Sequence, residues 1–513
     1  MSPNDPLPES VPVVIVGAGP AGVTVGTLLT RYGVPCLILE RHPDIYQQPR
    51  AVHCDDEVCR ILDRLGLYEA FTTVSRPGLG MRLLDPKMRV LEEIHVPGLG
   101  PHGYPRSVLY DQPDLEALLR TKYAEQPGAL FRGNAQVTAV ARHGDVVRVS
   151  FTDRSDGSEH TVDADYVFGC DGANSLVRTT VGATMMDLHF EQRWLVIDVD
   201  TDADLSQWSG THQLCDPSRA GSYMRVSDTR YRWEFQLLDG ETADDFQTLT
   251  AVAPLINPWV GEVPVEQLTL VRVTDYTFRA RVADRWRNGR VFLLGDAAHT
   301  TPPFIGQGLC AGMRDALNLS WKLAGVLSDE LPSSVLDTYQ QEREPHVRRM
   351  IRIAILVGQS MTAGGRLGTL SRRVLFPMMF HVPGLQRVIL DGFHPALHAS
   401  DLVIKSRRRR ELAGTVCPNV VLPQGIRIDK VIAHRFALIT SATLSTQQRA
   451  ELDRRGAAVV VAAPGDPLSD WLHHGRATTA IVRPDGAVLQ AGNNTQAMCE
   501  SVPSIAAARS AKP

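Results

Sequence analysis

A glycine-rich stretch near the start of the chain constrains the fold more than any other feature. The run 13–16 contains only branched apolar residues, as expected of a strand buried on both faces of a parallel sheet. Gly17, Gly19 and Gly22 follow with the spacing G-x-G-x-x-G, and a candidate helix follows them. In such a unit the glycines permit a tight turn, close approach of a pyrophosphate and close packing of helix on strand. The stretch therefore predicts a dinucleotide site at the helix N-terminus.

The residues after this helix support the same prediction. A second apolar run, 36–39, ends at Glu40, where an acidic side chain can accept hydrogen bonds from a ribose hydroxyl and would repel a 2′-phosphate. Gly98, Gly100 and Gly103 repeat the glycine spacing, but no apolar strand precedes them and no helix follows. The second copy therefore predicts a loop.

Composition places the chain among ordinary globular proteins. Of its 513 residues 43% are hydrophobic and 21% are charged, and the net charge of −4 gives no reason to expect nucleic acid as a partner. The basic run 407–410 is interpreted as a solvated helix end or linker. The sequence shows no signal peptide and no apolar run of membrane-spanning length. The eight cysteines include no C-x-x-C pair, so we expect reduced thiols and a cytoplasmic protein.

Two later strands also end in a carboxylate. The run 162–168 leads to Asp171, and the run 291–294 leads to Asp296. Ligands of open α/β sheets bind outside the carboxyl ends of the strands, although Asp171 also fits an ordinary Asp-Gly turn. The loop 301–308 is rich in proline and glycine, and the helix after it points its positive N-terminal end at whatever occupies the loop.

The middle and the end of the chain have different patterns. Between residues 194 and 286 strand-like segments predominate, and in 231–237 apolar and polar residues alternate. This pattern predicts an inserted antiparallel sheet with one buried and one wet face. Residues 415–492 predict a small α/β unit.

Three separated signatures together resemble the single-component FAD-dependent aromatic hydroxylases, which have the para-hydroxybenzoate hydroxylase fold. They are G-A-G-P-A-G with Glu40 and Arg41, C-D-G-A-N-S-L-V-R from Cys170, and G-D-A-A-H-T-T-P-P-F-I-G-Q-G-L from Gly295. The segments 49–57, 194–199 and 336–343 look most like those of 3-(3-hydroxyphenyl)propionate hydroxylases. The C-terminal unit is similar to the thioredoxin-like domain of many such enzymes, without its C-x-x-C pair.

The resemblance implies an α/β fold with four parts. A Rossmann-like FAD-binding domain is expected from 11–183 and 287–345, and a substrate-binding antiparallel sheet from 184–286. A helical connection over 346–413 and a thioredoxin-like domain over 414–513 complete the expected architecture.

The resemblance also implies an activity, namely hydroxylation of a phenolic ring through a C4a-hydroperoxyflavin with O₂ and NADH or NADPH. The nicotinamide has no evident domain of its own, so the choice between the two stays open. A 3-(3-hydroxyphenyl)propionate-like acid is the expected substrate, and a polycyclic aromatic polyketide is the alternative. A flavin-dependent reductase or oxidase and a non-enzymatic FAD-binding protein are the other open classes. A homodimer is also expected, and no metal site is.

Site residues carried over from the resemblance fall into three groups. The FAD-binding candidates are Gly17, Ala18, Gly19, Pro20, Ala21, Gly22, Glu40, Arg41, Arg50, Gln112, Asp171, Asp296, Gly306, Gly308 and Leu309. The catalytic candidates are Pro303, through its backbone carbonyl, and His53, which stands where the family commonly has glycine and is otherwise a packed or solvated histidine. The substrate candidates are Arg225, Arg232 and Phe304.

Overall fold

The computed structural model describes residues 7–47, 51–362, 395–406 and 412–504. Arg50 and the basic run 407–410 lie outside the described residues. The strands are β1 (Ser10–Val16), β2 (Cys36–Leu39), β3 (His53–Asp55), β4 (Ser75–Pro77), β5 (Gly80–Leu84), β6 (Val90–His95), β7 (Ser107–Tyr110), β8 (Ala129–Arg132), β9 (Ala135–His143), β10 (Val146–Asp153), β11 (Glu159–Gly169), β12 (Met185–Asp200), β13 (Thr211–Leu214), β14 (Gly221–Arg225), β15 (Arg230–Gln236), β16 (Thr269–Ala283), β17 (Arg287–Asn288), β18 (Val291–Leu293), β19 (His299–Thr300), β20 (Ala437–Thr440), β21 (Ala458–Val461), β22 (Thr479–Val482) and β23 (Val488–Gly492).

Helices connect and cover these strands. The α-helices are α1 (Pro20–Arg31), α2 (Asp56–Arg64), α3 (Tyr68–Thr72), α4 (Gln112–Ala124), α5 (Leu176–Val181), α6 (Leu249–Val260), α7 (Gly308–Leu327), α8 (Thr338–Thr362), α9 (Ile428–Ile432), α10 (Thr446–Arg454), α11 (Pro467–His474) and α12 (Thr495–Ser501). Short 3₁₀ turns lie at Ala243–Phe246, Val265–Gln267, Gly295–Ala297, Pro303–Ile305 and Ser333–Asp337. None of the helices in the described ranges is long and apolar enough to cross a membrane.

The first sheet has the strand order β17-β18-β11-β1-β2-β8, and the hairpin β9-β10 joins it through β11. The five strands β18, β11, β1, β2 and β8 run parallel to their neighbours. Val13, Val14 and Ile15 on β1 have no exposed surface, because α1 and other helices cover the sheet. This confirms the prediction of a doubly covered parallel sheet built around the first apolar run.

The second sheet has the strand order β19-β16-β12-β15-β14-β13-β5-β6. Neighbouring strands are antiparallel except for β13 and β5, which pair in parallel with Thr211 opposite Met81. The sheet therefore includes strands from 80–95 and 299–300 in addition to the predicted insertion 184–286. The hairpin β5-β6 covers the edge of β13, whose backbone groups would otherwise be unpaired.

The alternating strand β15 has two different faces. Tyr231, Trp233 and Phe235 pack in an apolar cluster with Trp259 of α6. The prediction that the opposite, polar face is wet is wrong for Arg232, of which only 1% is exposed. The structure covers this face with other parts of the chain, which the period-2 pattern does not reveal.

The C-terminal unit is a four-stranded sheet with the order β21-β20-β22-β23. Strands β20 and β21 are parallel and are joined by α10, whereas β22 and β23 form an antiparallel hairpin that is followed by α12. This βαβ unit followed by a hairpin and a helix is the thioredoxin-like arrangement that the sequence predicted.

Buried ion pairs attach the C-terminal unit to the first sheet's domain. Asp429 on α9 accepts bidentate hydrogen bonds from Arg60 and Arg64 of α2, with N to O distances of 2.6 to 2.8 Å. Burial alone would raise the pKa of Asp429, but the two guanidiniums lower it well below its usual range. A second junction joins Glu342 of α8 to Lys322 of α7 and to Arg483. Buried ion pairs therefore connect the two units, and each charge in them is stabilised by its partner in the other unit.

We expect Asp429→Asn to lower the free energy of unfolding by about 3–5 kcal/mol, because two buried guanidiniums lose their counter-charge. Urea unfolding followed by circular dichroism measures the change. Asp453→Asn, an exposed site on α10, is the matched control and should change stability by less than about 0.5 kcal/mol. Equal unfolding midpoints for Asp429→Asn and the wild type would contradict the assigned role of this junction.

Candidate functional site

Four parallel strands end at one edge of the first sheet. Val16 at the end of β1 lies opposite both Leu39 of β2 and Gly169 of β11, and Gly169 lies opposite Leu293 of β18. The segments that follow these strands therefore start side by side. They contain the glycine turn, Glu40, Asp171 and Asp296, which the sequence placed in three separate signatures.

The glycine turn joins β1 to α1 under tight steric constraint. Gly17 has φ +101°, and a Cβ there would lie 2.5 Å from the carbonyl oxygen of Cys170. A Cβ at Gly22 would clash with the carbonyl of Gly17. A Cβ at Gly19, in contrast, would meet no atom within 4 Å. The first and third glycines are thus required by close packing, whereas the second faces open space beside the helix N-terminus, where a phosphate fits.

The other residues of this turn contact the neighbouring segments. The Ala18 amide donates to Glu40 Oε2 at 2.8 Å, so the acid after β2 is tied to the turn after β1. Pro20 is the first residue of α1, a position where its missing N–H costs nothing. A Cβ built at Gly295 or at Gly312 would lie 3.3 or 3.2 Å from the Ala21 side chain. The turn, the Gly295–Ala297 segment and α7 therefore meet at one point.

Three predicted cofactor residues lie at the margin of this edge. Glu40 also accepts from the His42 amide at 3.0 Å, which orients its carboxylate. Arg41 is exposed, and its guanidinium donates to His42 Nε2. Gln112 at the start of α4 accepts a hydrogen bond from the Ala51 amide at 2.7 Å. Gln112 thereby holds the backbone at Ala51, which follows Arg50 in the chain.

Asp171 and Asp296 occupy different environments. Asp171 accepts hydrogen bonds from the Ser175 hydroxyl and the Val177 amide, so it fastens the loop before α5. Burial raises the pKa of Asp171, and these hydrogen bonds act in the opposite direction. Asp296 is partly exposed in the turn beside Ala21. Both carboxylates are partly exposed, so both border the space at this edge of the sheet.

Sequence reasoning did not assign Asp315, which holds the turn that carries Asp296. This fully buried carboxylate accepts from the Gly295 amide at 3.1 Å, His299 Nε2 at 2.7 Å and Arg343 Nε at 2.8 Å. Burial alone would raise its pKa, but His299 and Arg343 lower it. The sequence signal that could have identified Asp315 is its position as a charged residue in the mostly apolar helix α7.

A second unassigned network supports the N-terminus of α7. Arg314 donates to Asp55 Oδ2 at 2.6 Å, to Gln307 Oε1 at 2.8 Å and to Glu57. Gln307 in turn donates to Asp55 at 2.8 Å. These buried contacts link α2 to the residue just before α7 and so fix the direction of the helix end.

The loop before α7 contains the catalytic candidate Pro303 and contacts the other candidate, His53 of β3. Gly306 has φ +62°, and a Cβ there would clash with the His53 ring. His53 Nε2 lies 3.1 Å from Ser107 Oγ, and burial lowers its pKa against the opposing charge of Asp55. The carbonyl of Pro303 accepts from the Gly306 amide at 2.8 Å, which leaves that oxygen one further lone pair.

Gly308 and Leu309 begin helix α7. A Cβ at Gly308 would meet no atom within 4 Å, so the helix N-terminus opens onto free space. Its N–H groups and positive dipole end therefore favour negative charge at this position.

A cavity of about 60 Å³ lies between this loop and the second sheet. Its lining residues are Met81, Trp194, Thr211, Gln213, Ser222, Met224, Glu234, Phe278, Pro303 and Phe304. The rings of Trp194, Phe278 and Phe304 form one corner, with centroids 5.6 to 6.1 Å apart. The corner offers an aromatic ligand edge and face contacts.

The structure brings Phe304 and Pro303 to this cavity but not Arg225 or Arg232. Arg225 pairs with Tyr231 across the strands, on the face opposite the cavity, and donates to the Asp228 carbonyl at 2.6 Å. Arg232 lies on the cavity face but is held by Asp198 at 2.7 and 3.0 Å. His53 contacts the loop at Gly306 and does not line the cavity.

The arrangement combines a phosphate-binding turn, a positive helix end and an aromatic cavity. It can hold a dinucleotide along the sheet edge and an aromatic ring next to it. No cluster of side chains suited to a metal ion occurs in the described part of the chain.

Comparison with known proteins gives the same picture. The family described as "FAD binding domain" matches residues 10–354. A relative from Rhodococcus jostii, named "Probable NADH-specific resorcinol 4-hydroxylase", is 36% identical over 69% of this chain and 66% of its own length. A 3-(3-hydroxy-phenyl)propionate/3-hydroxycinnamic acid hydroxylase from Burkholderia cenocepacia is 31% identical over 92% of both chains.

Solved structures agree in fold. The flavin-dependent monooxygenase PieE in complex with FAD and substrate aligns with a TM-score of 0.80 at 23% identity, over 96% of this chain and 98% of PieE. Aklavinone-11 hydroxylase aligns with a TM-score of 0.79 at 22% identity over the same shares. The family match covers the glycine turn, the sheet edge and α7, and the chain therefore belongs to the FAD-dependent aromatic hydroxylases.

Proposed function

We propose that the chain hydroxylates a single-ring phenol that carries a second substituent meta to the reacting hydroxyl. One mole of O₂ and one of NAD(P)H are consumed, and one oxygen atom enters the ring while the other leaves as water. Resorcinol and 3-(3-hydroxyphenyl)propionate, in the names of the two relatives, are both phenols of this kind. The name of the first relative supports NADH as the reductant.

The observation that carries the proposal is the compact aromatic cavity beside the α7 loop. Trp194 and Phe278 are almost completely buried and pack against Phe304, so these three rings form a close-packed corner of a cavity of about 60 Å³. A polycyclic substrate would need these rings to move apart, and close-packed interiors resist such changes. The cavity thus favours a simple phenol over an aromatic polyketide.

The residues at the sheet edge fit FAD. The open space at Gly19 can take the pyrophosphate, and Glu40 retains lone pairs for a ribose hydroxyl. We assign to Asp296 a contact with a hydroxyl group on the flavin side of FAD. Gln112 and Asp171 are assigned a supporting role, because they hold the backbone next to the cofactor. Ala18, Pro20 and Ala21 shape the turn, Arg41 stays at the exposed rim, and the role of Arg50 stays a prediction.

The N-terminus of α7 is assigned to the flavin ring. Bound FAD supplies the activation of O₂ and the transfer of oxygen at the expense of NAD(P)H. The N–H groups of Gly308 and Leu309, with the helix dipole, stabilise negative charge that develops on the reduced ring. Gly306 permits the turn that exposes this helix end.

The chain's own contribution to the reacting phenol is positional. The remaining lone pair on the Pro303 carbonyl accepts a hydrogen bond from the phenol hydroxyl, and Phe304 packs on the ring. Because burial lowers the pKa of His53, the imidazole is neutral at pH 7 and supports the loop at Gly306 without adding charge. The aromatic rings shield one corner of the cavity from water.

The setting of the enzyme is part of the proposal. None of the eight cysteines is in a disulfide, which supports the reducing cytoplasm as its compartment. A homodimer stays a prediction. A reductase or oxidase on the same fold would consume NAD(P)H without an oxygenated product.

We expect the purified holoenzyme to consume O₂ and NADH in equal amounts with a meta-substituted phenol, and the product to gain one oxygen atom. An oxygen electrode, absorbance at 340 nm and mass spectrometry measure these quantities for resorcinol, 3-(3-hydroxyphenyl)propionate and a polycyclic phenol. Aromatic acids that lack a phenol hydroxyl are the control. Cofactor oxidation without any oxygenated product would contradict the proposal and favour the oxidase.

Gly19→Val should weaken FAD binding by about 100-fold or more, because the new side chain occupies the space assigned to the pyrophosphate. The flavin content of the purified protein and the dissociation constant of added FAD measure the effect. Gly19 has φ −71°, which valine tolerates, so the unfolding midpoint of the apoprotein should stay unchanged and serves as the control. Full flavin content in the variant would remove this turn from the site.

A further inference from the structure

Within the part of the chain that the structure describes, Glu234 is the one ionisable side chain that lines the aromatic cavity. It lies on the face of β15 that carries Arg232, the face for which the sequence predicted solvent. Glu234 is partly exposed because its side chain borders the cavity. A carboxylate in this position faces the space that the substrate would occupy.

A polar row crosses the sheet at this point. The strand registers place Glu234 of β15 opposite Ser222 of β14, and Ser222 opposite Gln213 of β13. All three side chains line the cavity. Gln213 is held by a hydrogen bond to the Gly221 carbonyl at 3.0 Å, and Ser222 Oγ is buried without a hydrogen-bond partner. A buried hydroxyl without a partner costs free energy unless a ligand supplies one.

The charges around Glu234 are balanced without a substrate. Asp198 contacts both Arg232 and Arg272, at 2.7 and 3.0 Å, so these two arginines and Asp198 together carry one positive charge. The Glu234 carboxyl group lies within electrostatic range of both arginines. Burial raises the pKa of Glu234, and so does the charge of Asp198, whereas the Arg232 and Arg272 guanidiniums lower it. Among the described residues that line the cavity, none is cationic and able to receive a carboxylate of the substrate.

Resting on the proposed function, we propose that the row Gln213, Ser222 and Glu234 binds a second, neutral hydroxyl of the substrate, so that the enzyme acts on dihydroxylated benzene rings. A hydroxyl accepts a hydrogen bond from Ser222 and donates one to the carboxylate of Glu234, and thereby satisfies both groups. A propionate side chain can only accept, and its charge repels Glu234. The meta substituent that fits is therefore OH and not a carboxylated chain.

Equilibrium binding to the oxidised holoenzyme without NADH tests this assignment apart from turnover. The probes are resorcinol, phenol, 3-methoxyphenol and 3-(3-hydroxyphenyl)propionate, and the perturbation of flavin absorbance gives each dissociation constant. 3-Methoxyphenol can accept a hydrogen bond at the second oxygen but cannot donate one. We expect the wild type to bind resorcinol about 10- to 100-fold more tightly than each of the other three.

Glu234→Gln provides the decisive comparison. The amide can donate to a methoxy oxygen, so the preference for resorcinol over 3-methoxyphenol should fall by about tenfold. Glu266→Gln, an exposed site on the turn before β16, is the matched control and should leave the preference unchanged. Ser222→Ala is a second, independent variant, and it should weaken binding of resorcinol and 3-methoxyphenol relative to phenol.

Two results would overturn the assignment: an unchanged preference in both Glu234→Gln and Ser222→Ala, or tighter binding of 3-(3-hydroxyphenyl)propionate than of resorcinol by the wild type. Turnover separates this assignment from the proposed function. Glu234-dependent resorcinol binding without a hydroxylated product would uphold the assignment and contradict the proposed function. Hydroxylation of 3-(3-hydroxyphenyl)propionate, with binding that does not depend on Glu234, would uphold the proposed function and contradict the assignment.

Discussion

The parallel pairing of β1 with both β2 and β11 is the constraint on which the rest of the site depends. Because Val16 is in register with Leu39 and Gly169, the turn, the acid and the second signature start at one edge of the sheet. The turn at Gly17 then passes so close to Cys170 that a side chain would be excluded. A shift of one residue in either pairing would separate these segments and turn the buried side chains to the wrong face.

Buried charges hold the parts of the molecule around this edge. Asp315 joins the turn before Asp296 to α8 through Arg343, and Asp429 joins the C-terminal unit to α2. Each pair is costly to desolvate and is stabilising only while both partners are present. Such contacts require one relative placement of the elements more strictly than apolar contacts do, because hydrogen bonds are directional. The thioredoxin-like unit is thus part of one structure with the FAD-binding domain, although it has no C-x-x-C pair.

Much of the cofactor site was predictable because it is local in sequence. Strand, glycine turn, helix and Glu40 follow each other within a few tens of residues, and each has a physical signature of its own. The substrate side was less predictable, because its residues come from strands far apart in the chain. The hairpin β5-β6 contributes Met81 to the cavity, yet its short strands gave little signal. Asp315 was missed because its three partners are revealed only by the folded structure.

The polar face of β15 shows why the pattern alone was misleading. Alternation of apolar and polar residues indicates two different environments, and solvent is the usual polar one. Here the second environment is a cavity and a buried ion-pair network. Arg232 forms an ion pair with Asp198, and Glu234 lines the cavity. The sequence suggested an arginine for a substrate carboxylate, whereas the fold presents a carboxylate instead. The partners that the sheet register supplies, here Asp198 of β12 opposite Arg232 of β15, therefore decide which charged side chain borders the cavity.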